Sequence, residues 1–183
     1  MRFIGVCGRK SSGKSEIVQF IHEYFINVKT LSFSEPIKQM CKFGYGLTDE
    51  QLGSGKDVED QRWERTPRDM MISTSRTMTF MDDDHWVNLM TNTISDIETS
   101  GLTHICISDI RFHNEADFIK TIGGCIINIR TVKDENPEFV LDDDITERYP
   151  DEIEADYYIV NNGNLENLKF QCDLILRKIH ELV

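Results

Sequence analysis

Met1-Arg2-Phe3-Ile4-Gly5-Val6-Cys7-Gly8-Arg9-Lys10-Ser11-Ser12-Gly13-Lys14-Ser15 opens the chain, and its reading decides the fold. The last eight residues fit G-x-x-x-x-G-K-S/T, a phosphate-binding loop. Glycines let such a loop close around phosphate oxygens, where successive N–H groups and a helix N-terminus present partial positive charge. Lys14 would reach the β- and γ-phosphates of a nucleotide, and the Ser15 hydroxyl would ligate Mg²⁺. The flanks suit the motif. Phe3, Ile4, Val6 and Cys7 predict a short buried strand, and Glu16–Tyr24 a helix with Ile17, Phe20, Ile21 and Tyr24 on one face. Strand, loop and helix in that order assign Gly8, Arg9, Lys10, Ser11, Ser12, Gly13, Lys14 and Ser15 to nucleotide binding.

The 183 residues suit one domain with a real core, and 39% hydrophobic with 28% charged residues is ordinary for a globular chain. A net charge of −12 argues against a broad nucleic-acid or membrane surface. It leaves room for a small anion, provided some of the 20 Lys and Arg cluster around it. The five cysteines, Cys7, Cys41, Cys106, Cys125 and Cys172, form no C-x-x-C pair, and Cys7, Cys106 and Cys125 sit in apolar runs. That predicts reduced, buried thiols rather than disulfides or a zinc site. No signal-like or membrane-spanning apolar run occurs, so the expected location is cytoplasmic, a host's cytoplasm if the protein is viral.

Further along, Lys29–Phe33 predicts a second strand, and Pro36 an early turn of the helix after it. Gly44–Gln61 lacks periodicity and is expected to be a surface excursion, mobile or partly helical. Thr66 as N-cap, Pro67 at the first helical position and Asp69 form a helix start. Ser73–Asp84 is expected to be a connection. Trp86, Leu89, Met90, Thr93, Ile94 and Ile97 recur at helical spacing, with Gly101 as a stop. His104–Asp109 predicts a buried parallel strand, Asn114–Ile122 a helix, Cys125–Arg130 a strand, Asp156–Val160 a last strand, and Leu165–Leu182 a closing amphipathic helix. The acidic stretch Thr131–Glu154 is expected to be a lid. Alternating strands and helices imply a parallel sheet with helices on both faces and a ligand at the strands' carboxyl ends. Asp109, Arg111 and Arg130 fall at such ends, beside the phosphate loop.

Ile107-Ser108-Asp109-Ile110-Arg111-Phe112-His113-Asn114-Glu115-Ala116 is the second informative stretch. A carboxylate at a strand tip can hold Mg²⁺, usually through water, and an arginine two residues on can fork onto a phosphate. A surface ion pair, Asn114 as N-cap and Glu115 complementing a helix dipole are the alternatives. With Gly8–Ser15, Ser32–Lys38, Thr66-Pro67-Arg68, Trp86-Val87, the strand ending at Arg130, and Tyr158–Gly163, this stretch makes the chain resemble the deoxynucleoside monophosphate kinases of bacteriophages. The Asp-x-Arg-Phe-x-Asn-Glu string is the more diagnostic part.

The resemblance implies a P-loop kinase fold, a three-layer α/β/α sandwich with a parallel five-stranded sheet and a lid. It implies one domain over residues 1–183, with an acceptor-binding excursion at 44–84 and the lid at 131–154. ATP and Mg²⁺ would be the cofactors, and a (deoxy)nucleoside monophosphate the substrate of a monomer or homodimer without nucleic-acid or membrane partners. Lys14, Arg111 and Arg130 would be catalytic, with Ser15 and Asp109 on the metal. Lys38, Arg68, Arg76, Trp86, Arg111, Glu115 and Arg148 would bind substrate. The chain departs from the family pattern twice. A Gly-Thr-Glu followed by arginine is replaced by Ser73-Thr74-Ser75-Arg76-Thr77, and a lid His-x-Ser-Glu by Asp144-Ile145-Thr146-Glu147. Arg76 and Arg148 are placed to supply a missing cation.

Other features have plainer readings. No His pair has ligand spacing among His22, His85, His104, His113 and His180, though His113 lies near Asp109 and Arg111. Trp86 is either a core anchor or a stacking platform. Met70, Met71, Met78 and Met81 either line a base pocket or fill the core beneath it. Asp82–Asp84 and Asp142–Asp144 read as solvated loops. A phosphomevalonate-type small-molecule kinase shares the loop and an Asp-x-Arg strand end, and a non-catalytic nucleotide-binding module is the remaining alternative. Against a GTPase, no Asn-Lys-x-Asp string occurs, and Ile110 rather than Glu comes after Asp109, unlike a remodelling ATPase.

Overall fold

Strands that are apolar on both faces can be buried only between two other layers. The central strands here are of that kind. A computed structural model describes residues 1–97, 101–132 and 150–181. In it β1 (Arg2–Gly8), β2 (Val28–Leu31), β3 (His104–Ile110), β4 (Cys125–Thr131) and β5 (Tyr157–Asn161) form one sheet in the order β2-β3-β1-β4-β5. Every pairing is parallel, so the strands all end at one edge.

One face of the sheet carries α1 (Lys14–Tyr24) and the last helix, α7 (Leu165–Glu181). Ile17, Phe20 and Ile21 from the first, and Leu168, Cys172, Leu176 and Ile179 from the second, close over Ile4, Val6, Ile127, Ile129 and Ile159. Burying a side chain of this size contributes about 1.5–3 kcal/mol. On the opposite face α6 (His113–Thr121) packs on β1 and β4 through Ile119 and Ala116. The result is the three-layer α/β/α sandwich with a five-stranded parallel sheet.

The chain divides into two compact units, Met1–Ser32 with Ile97–Val183, and Phe33–Asp96. The second holds α2 (Ser34–Tyr45), α3 (Asp49–Leu52), α4 (Pro67–Met81) and α5 (His85–Ser95). Its small core is Cys41, Leu47, Leu52 and Met70, flanked by Ile37, Tyr45 and Met71. It therefore reaches beyond the expected 44–84 excursion at both ends. The acidic loop 57–65 is organised by Asp60. That carboxylate accepts hydrogen bonds from the Arg62 backbone and guanidinium and from Gln51. Arg62 holds the acid well below the usual carboxylate range.

Two sequence expectations change. Ser73–Asp84 is not a connection, because α4 runs unbroken to Met81. Five Ser and Thr in that stretch lower intrinsic helix propensity. They are carried by a strong start, since Thr66 and Asp69 form a reciprocal capping box, and by packing of α4 on α2. Thr77 also returns its hydroxyl to the Ser73 carbonyl at 2.9 Å. Within 44–61, a Thr48/Gln51 capping box builds the short α3. Of the expected lid, residues 133–149, including Arg148 and Asp144–Glu147, lie outside the described residues.

All five cysteines are free thiols. Burial is the main cause that pushes Cys7, Cys106, Cys125 and Cys172 up to about 12. No helix among the described residues is long and apolar enough to cross a membrane. At the amino edge of the sheet, His104 stacks on Phe25 with ring centroids 3.8 Å apart. Burial pushes its pKa down to about 4, and Arg2, the N-terminal amine and His180 add to the effect. The unfolded chain therefore takes up a proton that the native one refuses as pH falls through 6.5 towards 4. Stability from this group is present at neutral pH and is lost over that window.

These contacts can be tested by two unfolding measurements. Thr66→Ala should lower stability in urea by about 1 kcal/mol, and an unchanged midpoint would show that the cap is idle. His104→Phe keeps a ring on Phe25 and should flatten the acid-side loss of stability. A pH profile parallel to that of the unaltered chain would contradict the assignment.

Candidate active site

Parallel pairing brings the ends of β1, β3 and β4 together. Gly8 lies opposite Ile129, so Arg130 is one residue beyond the start of the phosphate loop. On the other side Gly5 pairs with Ile107 but Cys7 pairs with Ile110. β3 thus carries one extra residue there, across Ser108 and Asp109. Such an irregularity re-aims side chains at a strand end. It also moves Ile110 out of phase, where its Cδ1 fills the space that a Gly5 Cβ would need. With Ile110 opposite Cys7, Arg111 is the first residue past that pair, as Gly8 is on β1, and Asp109 stands one residue short of it.

The loop is fixed by two close approaches. A Cβ on Gly8 (φ +145°) would fall 2.5 Å from the Ile129 carbonyl oxygen, and one on Gly13 (φ +106°) 2.7 Å from Asn161 Nδ2. Neither conformation nor space admits a side chain. Asn161, just past the loop's level on β5, donates Nδ2 to the Ser12 carbonyl at 3.0 Å and accepts from Gly163 N at 2.9 Å. Gln171 of α7 in turn clasps both backbone groups of Val160. The loop is therefore held from the last strand and the last helix.

Lys14 Nζ donates to the carbonyls of Gly8 and Arg9, at 2.7 and 2.6 Å. A phosphate would replace neutral acceptors with charged ones, which make stronger hydrogen bonds. Arg9 pairs through Nε and Nη2 with Asp151 Oδ2. Lys10, Ser11 and Ser15 are exposed, and Ser12 is fully buried. Arg130 is exposed and lies 4.7 Å over the Tyr158 ring, a cation–π contact that restricts its swing.

Asp109 Oδ2 accepts from Ser32 Oγ at 2.7 Å, and Ser108 Oγ donates to Leu31 O at 3.3 Å. The end of β2 thus orients the strand-tip carboxylate. Asp109 and the Ser15 hydroxyl are hard oxygen donors of the kind Mg²⁺ takes. The neighbouring Cys7 thiol, about 12, offers no competing thiolate. Glu115 is 4% exposed, and its Oε2 accepts from Arg111 N at 2.7 Å and Phe112 N at 3.2 Å. Burial pushes this acid up to about 8, with Asp109 adding to it; both backbone donors and the Arg111 charge oppose the rise. Asn114 is not the N-cap of α6, because the helix starts at His113. His113 Nε2 instead approaches Glu152 Oε2 at 3.5 Å.

The remaining candidates belong to the second unit. Arg68 forks onto Asp57, with Nε on Oδ1 and Nη2 on Oδ2. Lys38 is half-buried on α2, and Arg76 is exposed on α4. Trp86 is 6% exposed with its indole N–H on Thr79 Oγ1, the placement of a core anchor. Sequence reasoning gave no role to Ser32, Asn161 or Asp151. The first two lie inside the strings that carry the resemblance; Asp151 left no signal.

The sequence and the fold each have known relatives. The pattern of the deoxynucleotide monophosphate kinase family matches residues 66–172. A putative deoxynucleotide monophosphate kinase of Acanthamoeba polyphaga mimivirus is 32% identical over 93% of this chain and 94% of its own. Two solved structures share the fold at low identity. The Thermus thermophilus protein TT1252 has a TM-score of 0.55 at 13% identity, covering 97% of both chains. Dephospho-CoA kinase from Campylobacter jejuni has a TM-score of 0.51 at 11% identity, also over 97% of both chains.

Gly13→Ala tests the loop directly. A strained φ and a collision with Asn161 should weaken nucleotide binding by about tenfold or more, measured by calorimetry. Undiminished affinity would mean that the loop can relax away from Asn161.

Proposed function

The chain belongs to the deoxynucleotide monophosphate kinase family, and on that premise we propose that it transfers the γ-phosphoryl of ATP to a deoxynucleoside 5′-monophosphate. The products are the diphosphate and ADP. It is a kinase with a nucleotide-binding phosphate loop, and the nucleotide reading is favoured over a phosphomevalonate-type kinase or a non-catalytic module. The observation that carries the proposal is the meeting of the loop, Asp109, Arg111 and Arg130 at one sheet edge.

In the proposed reaction an acceptor phosphate oxygen forms a bond to the γ-phosphorus. The bond from that phosphorus to the β–γ bridging oxygen breaks, and ADP leaves. The attacking oxygen is already ionised near neutral pH, so no strong general base is needed. What the chain must supply is in-line positioning and compensation of charge. The loop's N–H groups and Lys14 bind the donor phosphates. Arg111 grips the acceptor phosphate with its planar fork. Arg130, braced on Tyr158, covers the charge that develops on the transferred group. Ser15 and Asp109 are the residues that would hold Mg²⁺, which when bound neutralises phosphate oxygens. By the same resemblance Lys38 and Arg68 are assigned to the acceptor, while Arg76 and Arg148, where the chain departs from the family pattern, are assigned to supply the missing cation.

Lys14→Ala and Arg111→Ala each remove a charged donor from the reacting phosphates. Each should cut kcat/KM on the order of 10²–10³-fold while circular dichroism and the unfolding midpoint stay near those of the unaltered chain. Near-normal turnover in either variant would take that residue out of the mechanism.

A further inference from the structure

Arg111 leaves β3 and enters α6 across a turn of two residues, Arg111 and Phe112. Its position is therefore set by two packed elements and by whatever holds the turn. Ile110 before it is fully buried, and Ala116 and Ile119 after it are buried too. The turn's two backbone N–H groups precede the first helical bonds and need an acceptor from elsewhere. Phe112 at the N-cap has no side-chain oxygen to offer. Both N–H groups point to one atom, Glu115 Oε2.

We infer that Glu115 is a positioning residue for phosphoryl transfer, one that fixes Arg111 through its backbone and does not touch the substrate. This rests on the functional reading above. A carboxylate meant to meet a nucleotide would have to face solvent, and Glu115 is 4% exposed. As a backbone anchor it has a clear task, because a small displacement of a phosphate-gripping arginine is costly in rate. The plainer alternative is a helix cap that supports the fold and nothing else. The two differ in whether the effect of removing Glu115 depends on Arg111.

Glutamine keeps an accepting oxygen at the same reach, whereas aspartate keeps the carboxyl group and loses the reach. Steady-state kinetics of Glu115→Gln, Glu115→Asp, Arg111→Ala and the double variants, with deoxynucleoside monophosphates and ATP, separate the possibilities. The expected result is that Glu115→Asp lowers kcat/KM for the monophosphate by about tenfold to a hundredfold. Glu115→Gln should recover most of that loss, and the ATP KM should stay within about twofold. In the Arg111→Ala background Glu115→Asp should add little, since the two residues act as one unit. Three results would overturn the inference: Glu115→Gln worse than Glu115→Asp, a loss that persists in full without Arg111, or no loss at all. If the unaltered chain phosphorylates no nucleoside monophosphate, the functional reading itself falls and this inference with it.

Discussion

Parallel register is the constraint on which the rest of this molecule depends. With β1 between β3 and β4, the three strands must end at the same edge, and the segments that leave them there are brought together. Those segments are a phosphate loop, an Asp-x-Arg turn and an arginine. The extra residue in β3 between Ile107 and Ile110 refines this arrangement. It changes which side chains face inward at the strand's end, and Ser32 then takes hold of the re-aimed Asp109. Charge, metal-type donors and backbone N–H groups are thereby gathered at one edge.

A chain of net charge −12 must concentrate its cations to bind a phosphate anion. The sandwich does so with Arg9, Lys10 and Lys14 on the loop, and Arg111 and Arg130 on neighbouring strand ends. Each arginine or lysine with a described partner rests on something that restrains it. Lys14 lies on loop carbonyls, Arg9 on Asp151 and Arg130 on Tyr158. Such restraint lowers the ordering cost of gripping a phosphate. The loop is likewise tied down at Ser12 by Asn161 of the last strand, so its shape depends on a residue distant in sequence.

Much of this was legible in the sequence, and the reasons are physical. Isoleucine-rich runs bounded by glycine announce buried strands, and the spacing of Gly8, Gly13 and Lys14 announces the loop. Thr66, Pro67 and Asp69 announce a helix start that the structure keeps. The helical course of Ser73–Met81 was hidden, because Ser and Thr favour other conformations and only packing on α2 decides for helix. The slip in β3, the Asn161 clamp and the Arg9–Asp151 pair were also hidden. They depend on contacts between residues far apart along the chain, which no local pattern records. Glu115 is the instructive case. Its place in the Asp-x-Arg-Phe-x-Asn-Glu string marked it as functional, but only its hydrogen bonds show that its partners are backbone N–H groups.

The central claim is that one sheet edge unites donor and acceptor phosphates for transfer between nucleotides. Coupled ADP release, measured with ATP, Mg²⁺ and each deoxynucleoside monophosphate, with phosphomevalonate and no acceptor as controls, tests it most directly. The account predicts release that depends on at least one deoxynucleoside monophosphate, with the diphosphate appearing in equal amount. Release driven by phosphomevalonate alone, or none above the rate without acceptor, would contradict it.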